Sequence, residues 1–267
     1  MSKTAQMCRE VACALDPVAF AEIKLEFFPT EFQKRILRSE EKRLIVLAHR
    51  QLGKTTILAL KVLWRAIYRL NTLHVVVASN ENQAKELLLK VQQFSVILPE
   101  IGKTQSSMSY VTFENGSRIL CLSGREQAAR GYSSPDTITV DEASRVDDLT
   151  WLALVPMTLR GNTQVTLIST PNGQRGFFYR MWMQDSTEWT RFSMKVSENP
   201  DLNTGAVEAL RKMFLLERDY RQECENSFED PQGAFFPGEL IRRAMTGRPG
   251  LELASTNYTT GKPGITL

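Results

Sequence analysis

The sequence predicts an α/β fold built on a mostly parallel sheet with helices on both faces. Three observations carry this. Apolar, β-branched runs alternate with segments of helical periodicity, the pattern of strand–helix–strand units. One run, Leu44 to Leu47, leads through a glycine-bearing loop into a helical segment. Another, Thr137 to Val140, ends abruptly in the acids Asp141 and Glu142.

The elements follow in order. Asp16 to Lys24 reads as an N-terminal helical segment, and Thr30 to Arg38 as a short helix with Thr30 as N-cap and Gln33 at its third position, a capping box. Arg43 to Ala48 is the first core strand. Thr55 to Leu70 carries Leu58, Val62, Leu63, Ile67 and Leu70 at helical spacing, with Asn71 as the stop. Leu73 to Ser79 is a second strand, and Glu81 to Leu98 a long helix with Leu87, Leu88, Val91, Phe94 and Leu98 on its apolar face, ended by Pro99. Met108 to Glu114 and Arg118 to Ser123 flank Asn115-Gly116, which suits a type I′ hairpin at a sheet edge. After the breaker-rich Ser133 to Asp136 come the acid-tipped strand, a helix around Thr150 to Leu159, and the strand Gln164 to Ser169. Asp201 to Arg243 is helical and charged, interrupted at Pro231-Gln232-Gly233. The expected division is a core over residues 1–197, a helical lid or linker over 198–246, and an irregular end over 247–267.

Bulk properties set outer bounds. With 267 residues, 42% hydrophobic and 24% charged, the chain can bury a full core. A net charge of +3 permits nucleic-acid contact without demanding it. Cys8, Cys13, Cys121 and Cys224 form no paired motif, so neither a zinc site nor a disulfide framework is expected, and a reducing compartment fits. No apolar stretch has the length of a membrane span. His49 and His74 are too isolated for metal ligation, and His49 reads as a spacer beside the loop.

Ala48-His49-Arg50-Gln51-Leu52-Gly53-Lys54-Thr55-Thr56 is a phosphate-binding loop in the required strand-to-helix context, with alanine at the position of the usual first glycine. Backbone N–H groups and the helix dipole converge there on one point. Lys54 is expected to neutralise the outer phosphates of ATP, and the Thr55 hydroxyl to ligate Mg2+. Asp141 would hold the same ion, and Glu142 would deprotonate the attacking water. Capping of the following helix explains one of these acids comfortably and two less well. The fold class is therefore that of P-loop NTPases of the ASCE or RecA-like kind, with a small C-terminal helical subdomain.

With those motifs in place, the chain resembles the ATPase domain of the large terminase subunit of tailed bacteriophages over roughly residues 16 to 236. Arg50-Gln51-Leu52-Gly53-Lys54-Thr55 is similar to the variant loop that many terminases carry. Phe28 to Gln33 looks like their adenine-recognition segment; for Gln33, base recognition and helix capping weigh equally. Ser169-Thr170-Pro171 is similar to their coupling motif, and Ala128-Ala129-Arg130-Gly131 to the loop that projects an arginine finger. Arg130 is the first choice for a finger acting in trans, Arg125 lies in the same segment, and Arg50 could act in cis. The resemblance implies a motor that translocates double-stranded DNA into a procapsid. Its implied partners are further copies in a ring, a portal protein, a small terminase subunit and a nuclease domain. It also implies residence in the host bacterial cytoplasm and absence from the finished virion. DNA would be gripped through its phosphates, without base readout. The stretch after Phe236 is too short for the family's nuclease, so no nuclease activity is expected.

A superfamily 2 helicase or translocase is the alternative enzyme, disfavoured because residues 198–267 offer no second nucleotide-binding core. A nucleotide-gated assembly module with little turnover is the alternative of another class. A water-activating Glu142 argues against it.

Overall fold

The computed structural model describes residues 2–98, 103–107, 109–124, 132, 134–159, 162–229 and 244. Residues Met1–Glu229 form one compact unit. The expected irregular end, 247–267, and the Pro231-Gln232-Gly233 break lie outside the described residues.

Two helices open the chain, α1 (Lys3–Leu15) and α2 (Pro17–Lys24), separated by Asp16, whose side chain accepts the Val18 N–H as N-cap while Pro17 starts the helix without losing a needed donor. Only the second is expected from the sequence. Next come α3 (Glu31–Arg38), β1 (Arg43–Ala48), α4 (Lys54–Tyr68), β2 (Leu73–Ala78) and α5 (Glu81–Val96). The antiparallel strands β3 (Lys103–Ser106), β4 (Tyr110–Phe113) and β5 (Arg118–Ser123) follow. Then come β6 (Thr137–Asp141), α6 (Asp148–Leu154), β7 (Gln164–Ser169), α7 (Gly176–Met183), β8 (Thr190–Met194), α8 (Thr204–Met213) and α9 (Glu217–Cys224). The helix expected to Leu159 stops at Leu154, where Pro156 tightens the chain into a 3-10 turn, Val155–Thr158.

The eight strands are ordered β3-β4-β5-β2-β6-β7-β1-β8, parallel except for the β3/β4 and β4/β5 pairs. Successive residues of β1 feed opposite cores: Leu44, Val46 and Ala48 join the cluster under α2 to α5, and Ile45 and Leu47 the cluster under α6 and α7. That two-sided burial explains an apolar run without polar alternation. A third, small cluster packs Val196, Tyr220 and Cys224 with Val207, Leu210 and Phe214. Among the described residues no helix is long and apolar enough to cross a membrane.

The turn between β4 and β5 departs from expectation. Gly116 N–H donates to the Phe113 carbonyl, so Glu114 and Asn115 are the central residues, and only Gly116 has positive φ, at 81°. This is a turn followed by a left-handed glycine, in place of a type I′ Asn-Gly pair. The Asn115 side chain instead serves α4. Its Nδ2 donates to the carbonyls of Ala66, Ile67 and Arg69, closing the C-terminal end of that helix.

Halfway along α4, Lys61 is buried and donates to the carbonyls of Ile36 and Ser39 at 2.7 and 2.6 Å, which ties α3 to α4. Burial, with Arg65 beside it, pushes its ammonium down to about 7. The folded state thus holds fewer protons than the unfolded chain between about pH 7 and the ordinary lysine value, and stability rises with pH across that window. Wild type is expected to gain about 2 kcal/mol between pH 7 and 9 in denaturant titrations, and Lys61→Met to lose that gain.

After α9 the chain returns to the sheet. Asn226, at a φ of 55°, donates from Nδ2 to Leu47 O, Ser193 Oγ and Met194 O, stitching the C-terminal ends of β1 and β8 together. Asn226→Ala removes these bonds and places a Cβ residue without polar compensation in the left-handed region. We expect a loss of about 2–4 kcal/mol by urea unfolding, and a smaller loss for Asn226→Gly, which keeps the backbone geometry.

Candidate nucleotide-binding site

The loop between β1 and α4 is shaped by two left-handed residues, Gln51 at a φ of 64° and Gly53 at 74°. Gly53 is required twice over, because a Cβ there would also meet Gln33 Nε2 at 3.1 Å. Gln33 serves the loop directly. Its Oε1 accepts the Thr30 N–H at 2.9 Å, completing the capping box, and its Nε2 donates to Leu52 O at 2.8 Å. One amide thus caps α3 and holds the loop, leaving one N–H and one lone pair for a base edge.

Lys54 opens α4 and is almost fully buried. Its Nζ donates to His49 O at 3.0 Å and Ala48 O at 3.3 Å, and lies 3.9 Å from Glu142 Oε1. Burial lowers its pKa, while Glu142 and Asp141 oppose the shift. Thr55 Oγ1 donates to Asp141 Oδ2 at 2.7 Å, although the two residues come from different strand ends. β2 and β7 flank β6 and bring its buried tip within reach of the loop. Burial pushes the Asp141 carboxyl up to about 6. A buried carboxylate beside a threonine hydroxyl, both oxygen donors, fits a hard cation that shares its coordination with phosphates and water. Among the described residues no group of three or more His, Cys, Asp or Glu could hold a metal by itself.

Glu142 takes a left-handed backbone, φ 50° and ψ 45°, rare for a side chain of its size. Its N–H donates to Asp141 Oδ1 at 3.0 Å, turning the chain sharply so that Glu142 lines the cleft while Asp141 stays buried against Thr55. Its Oε2 accepts from Arg145 Nη1 at 2.7 Å and Ser169 Oγ at 3.3 Å. Ser169 also meets the Ser144 N–H and hydroxyl, and Thr170 Oγ1 accepts from Arg145 Nη1 at 2.9 Å. β7 runs between β6 and β1, so Ser169, Thr170 and the buried Pro171 lie between the phosphate loop and the acid pair.

Two residues of this network have no counterpart among the sequence-derived candidates. Arg145 links Glu142 and Thr170, and its Nη2 lies 3.5 Å from Glu223 Oε1. Glu223, from α9, forms an ion pair with Arg50 at 2.5 Å and accepts the Arg50 N–H on its carbonyl at 3.3 Å. Arg50 is otherwise exposed. The three-residue step from Glu142 to Arg145 is a signal the sequence offers; Glu223, far along the chain, offers none. His49 is buried, its Nδ1 against Arg50 O and its Nε2 near Asn199, in keeping with a spacer. Arg130 and Arg125 lie outside the described residues.

An open cleft of about 480 Å³ runs over these groups. Arg50, Gln51, Gly53, Lys54, Thr55, Thr56, Glu142 and Arg145 line one side, and Gln83 and Lys90 of α5 complete the rim. A cationic floor with loop amides on one side and Glu142 on the other, with Asp141 buried behind Thr55, suits a polyphosphate with a divalent ion.

Comparison with known proteins agrees with this geometry. The ATPase domain of the large terminase of Thermus phage P74-26 superposes with a TM-score of 0.68 at 19% identity, over 80% of this chain and 99% of that one. The large terminase of bacteriophage HK97 gives a TM-score of 0.63 at 18% identity, over 80% of this chain and 55% of that one. The large terminase of a thermophilic bacteriophage, solved in complex with ADP, gives 0.63 at 11% identity, over 74% of this chain and 53% of that one. The chain therefore spans about half the length of these last two proteins. The family model of the terminase large subunit, T4likevirus-type, N-terminal region, matches residues 45–243. Since that match takes in the loop before α4, the acid pair Asp141-Glu142 and the strand that ends at Ser169, the chain belongs to the large terminase family, the DNA-packaging ATPases of bacteriophages, and carries the family's N-terminal domain.

Proposed function

We propose that this chain hydrolyses Mg-ATP to translocate double-stranded DNA into a procapsid. The observation that carries the reading is the convergence of Lys54, Thr55 and Glu142 from two strand ends onto one cleft, with Asp141 buried behind Thr55 and bonded to its hydroxyl. Gln51 to Thr56 cradle the phosphates, and Thr55 and Asp141 would hold Mg2+, which would supply charge neutralisation to the phosphates. Glu142 takes a proton from water as that water attacks the γ-phosphorus and ADP leaves. Lys54 and Arg145 offset the charge that develops on the phosphoryl oxygens. Ser169, Thr170 and Pro171 lie where a change at Glu142 or Arg145 is passed to the next strand. Gln33 steadies the loop and offers its remaining amide valences to adenine.

Arg130, by the family resemblance, reaches the site of a neighbouring copy, so the working form is a ring. The helices after residue 197 act as a lid or linker. Double-stranded DNA, a portal protein, a small terminase subunit and a nuclease domain are the remaining partners, met in the host cytoplasm. The reading is tested by phosphate release from ATP and Mg2+ across protein concentration, with and without double-stranded DNA. The expected result is a rate per subunit that climbs with concentration and with DNA. A rate per subunit independent of both would refute the ring motor.

A further inference from the structure

The cleft pairs cations with anions in a way that the loop and acid motifs do not explain. Lys54 faces Glu142 from the core, Arg50 pairs with Glu223 of α9, and Arg145, held at 2.7 Å by Glu142, reaches the same Glu223 with its second nitrogen at 3.5 Å. The Glu223 carboxylate is largely buried, at 17% side-chain exposure, so its charge depends on those arginines for compensation. The tie is also structural, since the Arg50 N–H bonds to the Glu223 carbonyl. Arg145 stands at a branch: its Nη1 serves Glu142 and Thr170, its Nη2 reaches Glu223. Any terminal phosphate seated in the cleft meets two arginines already engaged by an anion that sits on a separate helix.

Resting on the nucleotide reading above, we propose that Glu223 is a positioning residue of the phosphate site. Its carboxylate holds Arg145 and Arg50 until the third phosphate of a nucleoside triphosphate competes for them. A diphosphate lacks the group that would compete, so the exchange separates the two nucleotides by charge. When the arginines turn to the phosphate, Glu223 loses its compensation and α9 loses its side-chain attachment to the loop. Nothing covalent changes; one pair of ion contacts replaces another.

The test uses the full 267-residue chain. Affinities for ADP and for the slowly hydrolysed ATPγS, each with Mg2+, are measured for wild type and for Glu223→Gln, which keeps the shape and removes the charge. The expected outcome is tighter ATPγS binding by at least about fivefold with ADP affinity changed less than about twofold. An unchanged ratio, in a variant that melts like wild type, overturns the proposal while leaving the nucleotide site intact. Failure of wild type to bind either nucleotide overturns the site reading and this one together. Hydrogen exchange on wild type alone gives a second readout that survives a misfolded variant. Amides of residues 217–224 are expected to exchange faster with ATPγS than with ADP. Equal exchange in the two states counts against the proposal.

Discussion

Glu142→Gln is expected to bind ATP as wild type does and to turn it over about 10²–10⁴ times more slowly. The amide keeps the side chain's length, and its oxygen still accepts from Arg145 and Ser169, so the arrangement around the acid survives. Lys54 and Thr55, the proposed phosphate and magnesium ligands, are untouched. What disappears is a group able to take a proton from water. A fluorescent-nucleotide titration should report an unchanged Kd, and phosphate release should report the lost kcat. If turnover stayed within about tenfold of wild type, Glu142 would not be the base, and if wild type itself bound ATP with only a background rate, the assembly-module reading would gain.

The second large effect is expected at Arg130. Arg130→Ala should lower turnover per subunit by about 10³–10⁵, the range for loss of an arginine finger. The informative experiment mixes two inactive variants. In a mixed ring, a Glu142→Gln copy keeps its Arg130 and offers it to a neighbouring Arg130→Ala copy that keeps its Glu142. Activity recovered on mixing places the guanidinium in trans. Two variants that stay silent together would exclude a shared site and move attention to Arg50 or Arg145.

The parallel core is legible because its strands are buried on both faces and so are written as runs rich in apolar and β-branched residues; Arg43 to Ala48 and Gln164 to Ser169 are recovered to the residue. β8 is not, because an edge strand reading Thr-Arg-Phe-Ser-Met is only half-buried and carries neither an apolar run nor strict alternation. β3, at the opposite edge, reads Lys-Thr-Gln-Ser and is equally silent. The turn at Asn115 departs from expectation for a different reason. The dipeptide's preference for a type I′ turn is overridden by the three α4 carbonyls that its side chain satisfies.

The site divides along the same line. Lys54, Thr55, Asp141 and Glu142 belong to contiguous motifs whose chemistry requires their order, and the fold brings them within contact of one another. For Gln33 the capping reading is seen directly in the box with Thr30, and the other end of the same amide holds the loop, a contact neither reading included. Arg145 and Glu223 escape because an arginine in a polar turn and a glutamate on a charged helix are ordinary until a distant element is placed beside them.

The bond of Asn115 to the end of α4 has a mechanical meaning. α4 is 15 residues long, a rod of about 22 Å. Its first residue is Lys54, the proposed phosphate ligand, and its far end is pinned to the antiparallel wing. A helix resists stretching and bending far more than a loop does, so small displacements pass along it with little loss. The helix is therefore built as a lever between Lys54 and a β-hairpin. A ligand that pushes on Lys54 is expected to move the hairpin, and a force applied to the hairpin to be felt at Lys54.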